Sequence, residues 1–306
     1  MKDLKTELRH AINDKFGDKF NYQSLMREAY NDPDVQAFVK AHSISNESIR
    51  RSASKIYEYV QQKNKSANHD GLIPGYHPKL VYNGQMIDVT YVPTLATIEK
   101  QKSKQLKERV KSIAMPKVIQ NASLNDFDYK NKYFSTRSPI MVYASNFTSD
   151  YPETDHFIPG MYISGSFGIG KTFLIGAIAN ELAEDGISSL LVHFPSFAHE
   201  MKESISDNTG GAKLDAVKKA PILMLDDIGA DSISDWVRDE VLGLILEYRM
   251  QNELPTFFTS NYTIDDLKDA YLSGRNNDET RANRIVERIR FLSREFQMQG
   301  DNRRRK

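Results

Sequence analysis

The 306-residue sequence contains no cysteine. Disulfides and thiolate metal sites are therefore excluded, and a reducing, cytoplasmic compartment is the expectation. Net charge is missing too: Lys plus Arg and Asp plus Glu both count 41. Bulk electrostatics cannot hold nucleic acid on such a chain, which leaves only a local basic groove for that purpose. No apolar run approaches the roughly eighteen residues that a membrane helix needs. The opening MKDLKTELRH lacks the apolar core of a secretory signal. What is present, 40% hydrophobic and 27% charged residues, suffices for one large packed domain and a smaller one.

Residues 1–62 read as helical. Leu4, Leu8, Ala11 and Ile12 recur at helical spacing. Asp32 can cap a helix that opens at Pro33 and carries Val35, Phe38 and Val39. Ile49, Ala53, Ile56 and Val60 mark a further apolar face. Residues 64–78 form a polar break punctuated by Gly and Pro, and LVYNG and MIDVTYV then alternate around Asn83-Gly84, the pattern of a hairpin. His69 and His77 lie here without enough company to make a metal site. Residues 96–113 carry six bases against two acids, and Leu106, Val110 and Ile113 offer one thin apolar stripe; a solvated linker helix is expected. The divisions are thus 1–95 (helical, with a hairpin), 96–130 (basic linker) and 131–306. In the last part apolar strands (GMYIS, SLLVHF, PILML, PTFFTS) alternate with amphipathic helices at Lys171–Glu184 and near 196–206 and 234–250. Such alternation predicts an α/β domain, a mostly parallel sheet flanked by helices.

Gly165-Ser166-Phe167-Gly168-Ile169-Gly170-Lys171-Thr172 fits G-x-x-x-x-G-K-[ST] at each fixed position, after a strand and before a helix. Composition alone would produce the pattern in about one random chain of this length in a hundred. Backbone N–H groups of the loop and the helix N-terminus can wrap a phosphate. Lys171 is expected to reach the β and γ phosphates of ATP, and the Thr172 hydroxyl to ligate Mg²⁺. Pro221–Leu225 is an apolar strand that ends in Asp226 and Asp227. Asp226 at the carboxyl edge of the sheet is placed to hold Mg²⁺. Asp227 can polarise a water for attack on the γ-phosphate, or can cap the next helix. Thr256–Ser260 ends at Asn261; if that strand neighbours the acidic one, Asn261 can orient the water.

In this order the phosphate loop, the acidic strand and Thr259-Ser260-Asn261, which stand where sensor 1 is found, resemble an AAA+ ATPase. Arg284-Ile285-Val286-Glu287-Arg288-Ile289-Arg290 is similar to the segment that carries the arginine finger in the DnaC/DnaI/IstB group. Gly300-Asp301-Asn302-Arg303-Arg304 is similar to that group's closing stretch, where a sensor 2 arginine sits. With a helical N-terminal part and a hairpin carrying Gly75-Tyr76-His77-Pro78, the resemblance to the helicase loaders of the group extends over nearly the full length. It implies that Arg288 reaches the γ-phosphate of a neighbouring subunit, that Arg304 touches nucleotide in its own, and that Lys202 contacts single-stranded DNA. It further implies that residues 1–95 bind the hexameric replicative helicase, on which the protein self-assembles. Two departures stand out. Asp227 occupies a position where many AAA+ proteins have Glu, one methylene longer. The family's N-terminal domain can hold zinc through cysteines; here only His77 falls in the matching segment, so packing alone is expected to hold that fold. Rival readings are a transposition helper ATPase of the IstB type, which shares the ATPase module, a small-molecule phosphotransferase, and a nucleotide-binding adaptor that does not hydrolyse.

Overall fold

The structure is a computed structural model that describes residues 22–67, 72–204, 210–231, 233–272 and 279–303. It divides into two compact units between Ser103 and Lys104. In the first, helices α1 (Tyr22–Tyr30), α2 (Pro33–Ala41), α3 (Asn46–Arg51) and α4 (Ala53–Ala67) pack with an antiparallel hairpin, β1 (Tyr76–Tyr82) and β2 (Ile87–Pro93). The Asp32 carboxylate accepts the amides of Asp34 and Val35, and Pro33 opens α2 as expected; such a cap contributes about 1 kcal/mol. Asn83 Oδ1 accepts from the amides of Gln85 and Met86 and so closes the hairpin turn. Ala29, Val35, Ile56, Val60, Leu80 and Ile87 form the core. Buried Ser52 ties helix to hairpin, its Oγ accepting from the Ile87 amide at 2.7 Å. The helix α4 continues to Ala67, further than the polar break beginning at 64 allowed. The expected apolar positions Leu4, Leu8, Ala11 and Ile12, and His69, lie outside the described residues.

Helix α5 (Leu95–Arg109) matches the basic helix expected there, but the rest of the presumed linker does not. Val110–Ile113 is a strand, β3, paired in parallel with Ser189–Val192. Ile119, Ala122, Leu124 and Phe127 are buried in the second unit's core. The linker 96–130 and a boundary at 131 are therefore corrected: the second unit begins at Lys104. Four residues are too few for periodicity to separate a strand from the end of a helix, and pairing with a neighbouring strand decided the matter.

After β3 come α6 (Phe134–Asp150), β4 (Gly160–Ser164), α7 (Lys171–Glu184), β5 (Ser189–His193), α8 (Phe194–Glu203), α9 (Gly210–Lys219) and β6 (Ile222–Ile228). A π-helical stretch, Val237–Gly243, leads into α10 (Leu244–Gln251). Then follow β7 (Thr256–Ser260), α11 (Ile264–Leu267), α12 (Glu279–Leu292) and β8 (Ser293–Gln297). The six strands are all parallel, in the order β3-β5-β6-β7-β4-β8. Both faces are covered, which is why β4 and β7 are buried at every residue and read as unbroken apolar runs. One apolar cluster includes Leu223, Leu225, Phe258 and the inner face of α12; the other includes Met161, Ile163, Phe257 and α7.

One buried cation fastens the amino ends of the central strands. Arg249 on α10 is 0% exposed. Its guanidinium donates to the carbonyls of Lys218, Ala220 and Pro255 and to Thr256 Oγ1, at 2.7–3.0 Å. Burial lowers its pKa, and these acceptors oppose that penalty. Lysine cannot reproduce the planar fork. Arg249→Lys is expected to leave buried carbonyls unpaired and to cost about 2–4 kcal/mol, read as a lower urea midpoint for the second unit. A midpoint like that of an exposed Arg→Lys control would show that the fork is dispensable.

Candidate nucleotide site

Because β7 lies between β6 and β4, three carboxyl ends meet at one edge of the sheet. The strand β4 delivers the phosphate loop, β7 delivers Asn261, and β6 delivers Asp226 and Asp227. They border a cleft of about 770 Å³ whose walls include Met115, Pro116, Phe127, Lys171, Thr172, Asp226 and Asn261.

The loop's glycines are required by its shape. Gly165 and Gly168 have φ of 148° and 75°, and a Cβ on them would overlap the Met298 carbonyl and the Asn302 side chain, respectively. Gly170 precedes α7 without any side-chain cap, so the first-turn amides of the helix are left for an anion. Lys171 is 7% exposed. Its Nζ donates to the carbonyls of Gly165 and Ser166 and to Asn261 Oδ1, at 2.7–2.9 Å. Asn261 Nδ2 in turn donates to Asp227 Oδ1 at 3.3 Å. A fixed ammonium among short dipoles, beside a carboxylate, is chemistry suited to a polyphosphate. Within the loop Phe167 is exposed and Ile169 buried, so one faces the cleft and the other anchors the loop in the core.

Asp226 is buried and accepts from Thr172 Oγ1 at 2.9 Å and from Thr259 Oγ1 at 2.6 Å. Burial pushes its carboxyl above the ordinary range, against these two hydrogen bonds. The hydroxyl of Thr172 and the carboxylate of Asp226 already converge, and both are hard oxygen donors, so the pair fits Mg²⁺. Asp227 has a left-handed backbone, φ 62°, beside a shift of register between Leu225 and Ile228. The bulge turns its carboxylate toward Asn261, and Thr259 Oγ1 accepts its amide at 2.9 Å.

Other expected residues are placed as follows. Arg288 on α12 does not line this cleft. Its guanidinium donates to the Gly243 carbonyl at 3.0 Å and pairs with Glu247 at 3.2 Å, in a separate groove that also includes Arg281 and Arg284. Lys202 is exposed on α8, outside the cleft. Arg304 lies outside the described residues, whereas Arg303 borders the cleft, donates its amide to the Gly168 carbonyl at 2.9 Å, and pairs with Asp128.

The roles of three side chains of the site escaped the sequence, in which Thr259 figured only as part of the trio ending at Asn261. Thr259 organises both aspartates. His193, in register with Asp226 at the end of β5, holds Nε2 4.0 Å from Asp227 Oδ2. Arg137 approaches the loop from α6, donating to the Ile169 carbonyl at 3.2 Å. For the first two a signal existed, a polar residue at the end of an apolar strand; for Arg137 there was none.

Comparison with known proteins agrees with this geometry. A family described as "IstB-like ATP binding protein" matches residues 78–306, and one described as "Primosomal protein DnaI N-terminus" matches residues 1–91. The replicative helicase loader DnaI of Bacillus subtilis (strain 168) is 39% identical over 294 residues, covering 92% of this chain and 93% of that one. A crystal structure of DnaI superposes with a TM-score of 0.56 at 41% identity, covering 65% of this chain and 99% of the other. A crystal structure of the DnaC helicase loader does so at 0.50 and 25%, covering 60% and 100%. A phosphate loop and acidic strand at one sheet edge, a family match over most of the residues, and identity to DnaI along nearly both lengths have one reading: the chain belongs to the DnaI family of IstB-like, AAA+ ATP-binding proteins.

Proposed function

We propose that this protein is an ATP-dependent loader of the replicative helicase, which delivers the helicase ring onto single-stranded DNA during primosome assembly. The observation that carries the reading is the match of residues 1–91 to the DnaI N-terminus. The IstB-type transposition helper shares the ATPase module, so only the N-terminal part separates the two readings, and it favours the loader.

In this reading the first unit grips the helicase and the second binds ATP. Lys171 exchanges its loop carbonyls and Asn261 for the β and γ phosphates. Thr172 and Asp226 would hold Mg²⁺, which would supply positive charge against the developing negative charge. Asn261, relieved of Lys171, orients a water for attack on the γ-phosphorus; Asp227 accepts its proton as the bond to the β–γ bridging oxygen breaks and ADP leaves. Arg288, exchanging Glu247 for a neighbour's γ-phosphate, makes turnover depend on self-assembly on the helicase. Lys202 meets the DNA backbone, and the whole cycle runs in the cytoplasm.

Three outcomes test this. Lys171→Ala removes a charged donor from a polyphosphate site; since such hydrogen bonds are worth about 1.5–3 kcal/mol, ATP affinity by calorimetry should fall at least tenfold. Unchanged affinity would mean that the loop does not bind phosphate. The fragment 1–103 should co-purify with the helicase without ATP; capture by 104–306 alone would reverse the assignment of roles. Arg288→Ala should lower turnover steeply, since arginine fingers are worth roughly 10³–10⁵ in rate. Mixing it with Lys171→Ala protein should restore part of the activity, because mixed interfaces pair an intact site with an intact finger. Near-normal turnover of Arg288→Ala by itself would exclude a finger in trans.

A further inference from the structure

The proposed chemistry gives no task to Arg137, although this side chain is 1% exposed. Its Nε donates to the Asp128 carbonyl at 2.6 Å. Its Nη1 donates both to the Ile169 carbonyl in the phosphate loop and to the Gln299 carbonyl in the closing segment, each at 3.2 Å. The guanidinium carbon lies 4.4 Å from the centre of the Phe127 ring. Nη2 is buried without a partner among the described residues, 4.0 Å from where a Cβ on Gly170 would stand. Burial, and then Arg303, lower its pKa. An apolar side chain of similar volume would fill this space without desolvating a charge.

The closing segment touches the loop independently of Arg137. The Met298 amide donates to the Ser164 carbonyl at 2.8 Å, and the Arg303 amide to the Gly168 carbonyl at 2.9 Å. A Cβ on Gly300 would stand 3.0 Å from Arg137 Nη1 and 3.1 Å from Ile169 Cβ. The outer side of the segment is tied down by Asp301, which accepts from the Tyr133 hydroxyl at 2.7 Å and pairs with Lys132 at 3.0 Å.

We propose that Arg137 and residues 298–303 form a strap that fixes the curvature of the phosphate loop, with Arg137 as a positioning residue for nucleotide binding. The inference rests on the nucleotide reading of the cleft. A glycine-rich loop must otherwise surrender its backbone freedom when phosphate arrives. A strap that restricts the loop beforehand lowers that cost, which is preorganisation. The loop's amides hold phosphate in the ground state as well as in the transition state, so losing the strap raises KM more than it lowers kcat.

The test uses the full chain. ATP affinity, kcat and KM are measured for the unmodified protein, for Arg137→Lys, and for the more exposed pair Tyr133→Phe and Asp301→Ala, singly and together. Hydrogen exchange of amides 165–170 is followed without nucleotide. Arg137→Lys, losing fork geometry, should raise Kd and KM about tenfold with a smaller change in kcat. Tyr133→Phe and Asp301→Ala should each raise Kd about two- to fivefold, and the double variant should be no worse than Asp301→Ala. Loop exchange should quicken in all of them. An Arg137→Lys protein with unchanged KM and a lower melting temperature would reduce Arg137 to a core residue and overturn the proposal. If that variant fails to fold, the exposed pair decides, and unaltered affinity and exchange there overturn it. Failure of the unmodified chain to bind ATP would sink the nucleotide reading alone, and the exchange rates would still judge the strap.

Discussion

Parallel pairing of β7 with β4 on one side and β6 on the other is the constraint from which the site follows. Ser260 is in register with Ser164 on β4 and with Ile228 on β6. The phosphate loop, Asn261 and the two aspartates therefore emerge side by side. Consecutive residues of a regular strand point to opposite faces, which would separate Asp226 from Asp227. The shift of register after Leu225 and the left-handed Asp227 remove that conflict. One carboxylate turns to Thr172 and Thr259, the other to Asn261. Left-handed backbone at a non-glycine residue stores strain, and Thr259, bonded to both aspartates, is what restrains it.

The main site was legible because its residue types are chemically irreplaceable and its strands are central. The run from Gly165 to Thr172 and the pair at 226–227 are recognisable without coordinates, and so is the hairpin around Asn83-Gly84. The edges of the sheet were not. β3 and β8 have only four and five residues, and in β8 only Ser293 is buried, followed by Arg294, Glu295, Phe296 and Gln297 at exposed or half-buried positions. Nothing in such segments marks a strand until a neighbour supplies the ladder. The sequence also hides which charges are interior.

That last point concerns the arginines in particular. A chain of balanced charge invites the view that its cations lie in solvent. Yet among the described residues Arg137, Arg238 and Arg249 are the largest of the fully buried side chains. Arg238 meets Asp239, whereas Arg137 and Arg249 serve backbone carbonyls at the two ends of the sheet. The guanidiniums of Arg137 and Arg249 gather carbonyls from segments distant in sequence, a task their five fixed donors suit. Their spacing carries no periodic signal, so they emerge only from the folded arrangement.

The contact between β4 and β8 has a consequence for how the protein comes into being. Residues 160–164 pair with 293–297, and the loop after β4 is covered by residues 298–303. Contacts so far apart in sequence form late, after the local ones. A growing polypeptide on the ribosome thus exposes its phosphate loop long before the segment that completes it has been made. Until β7 is made β4 offers both flanks to other chains, and until β8 is made it still offers one. The same order delays the point at which a bound nucleotide can begin to stabilise the newly made fold.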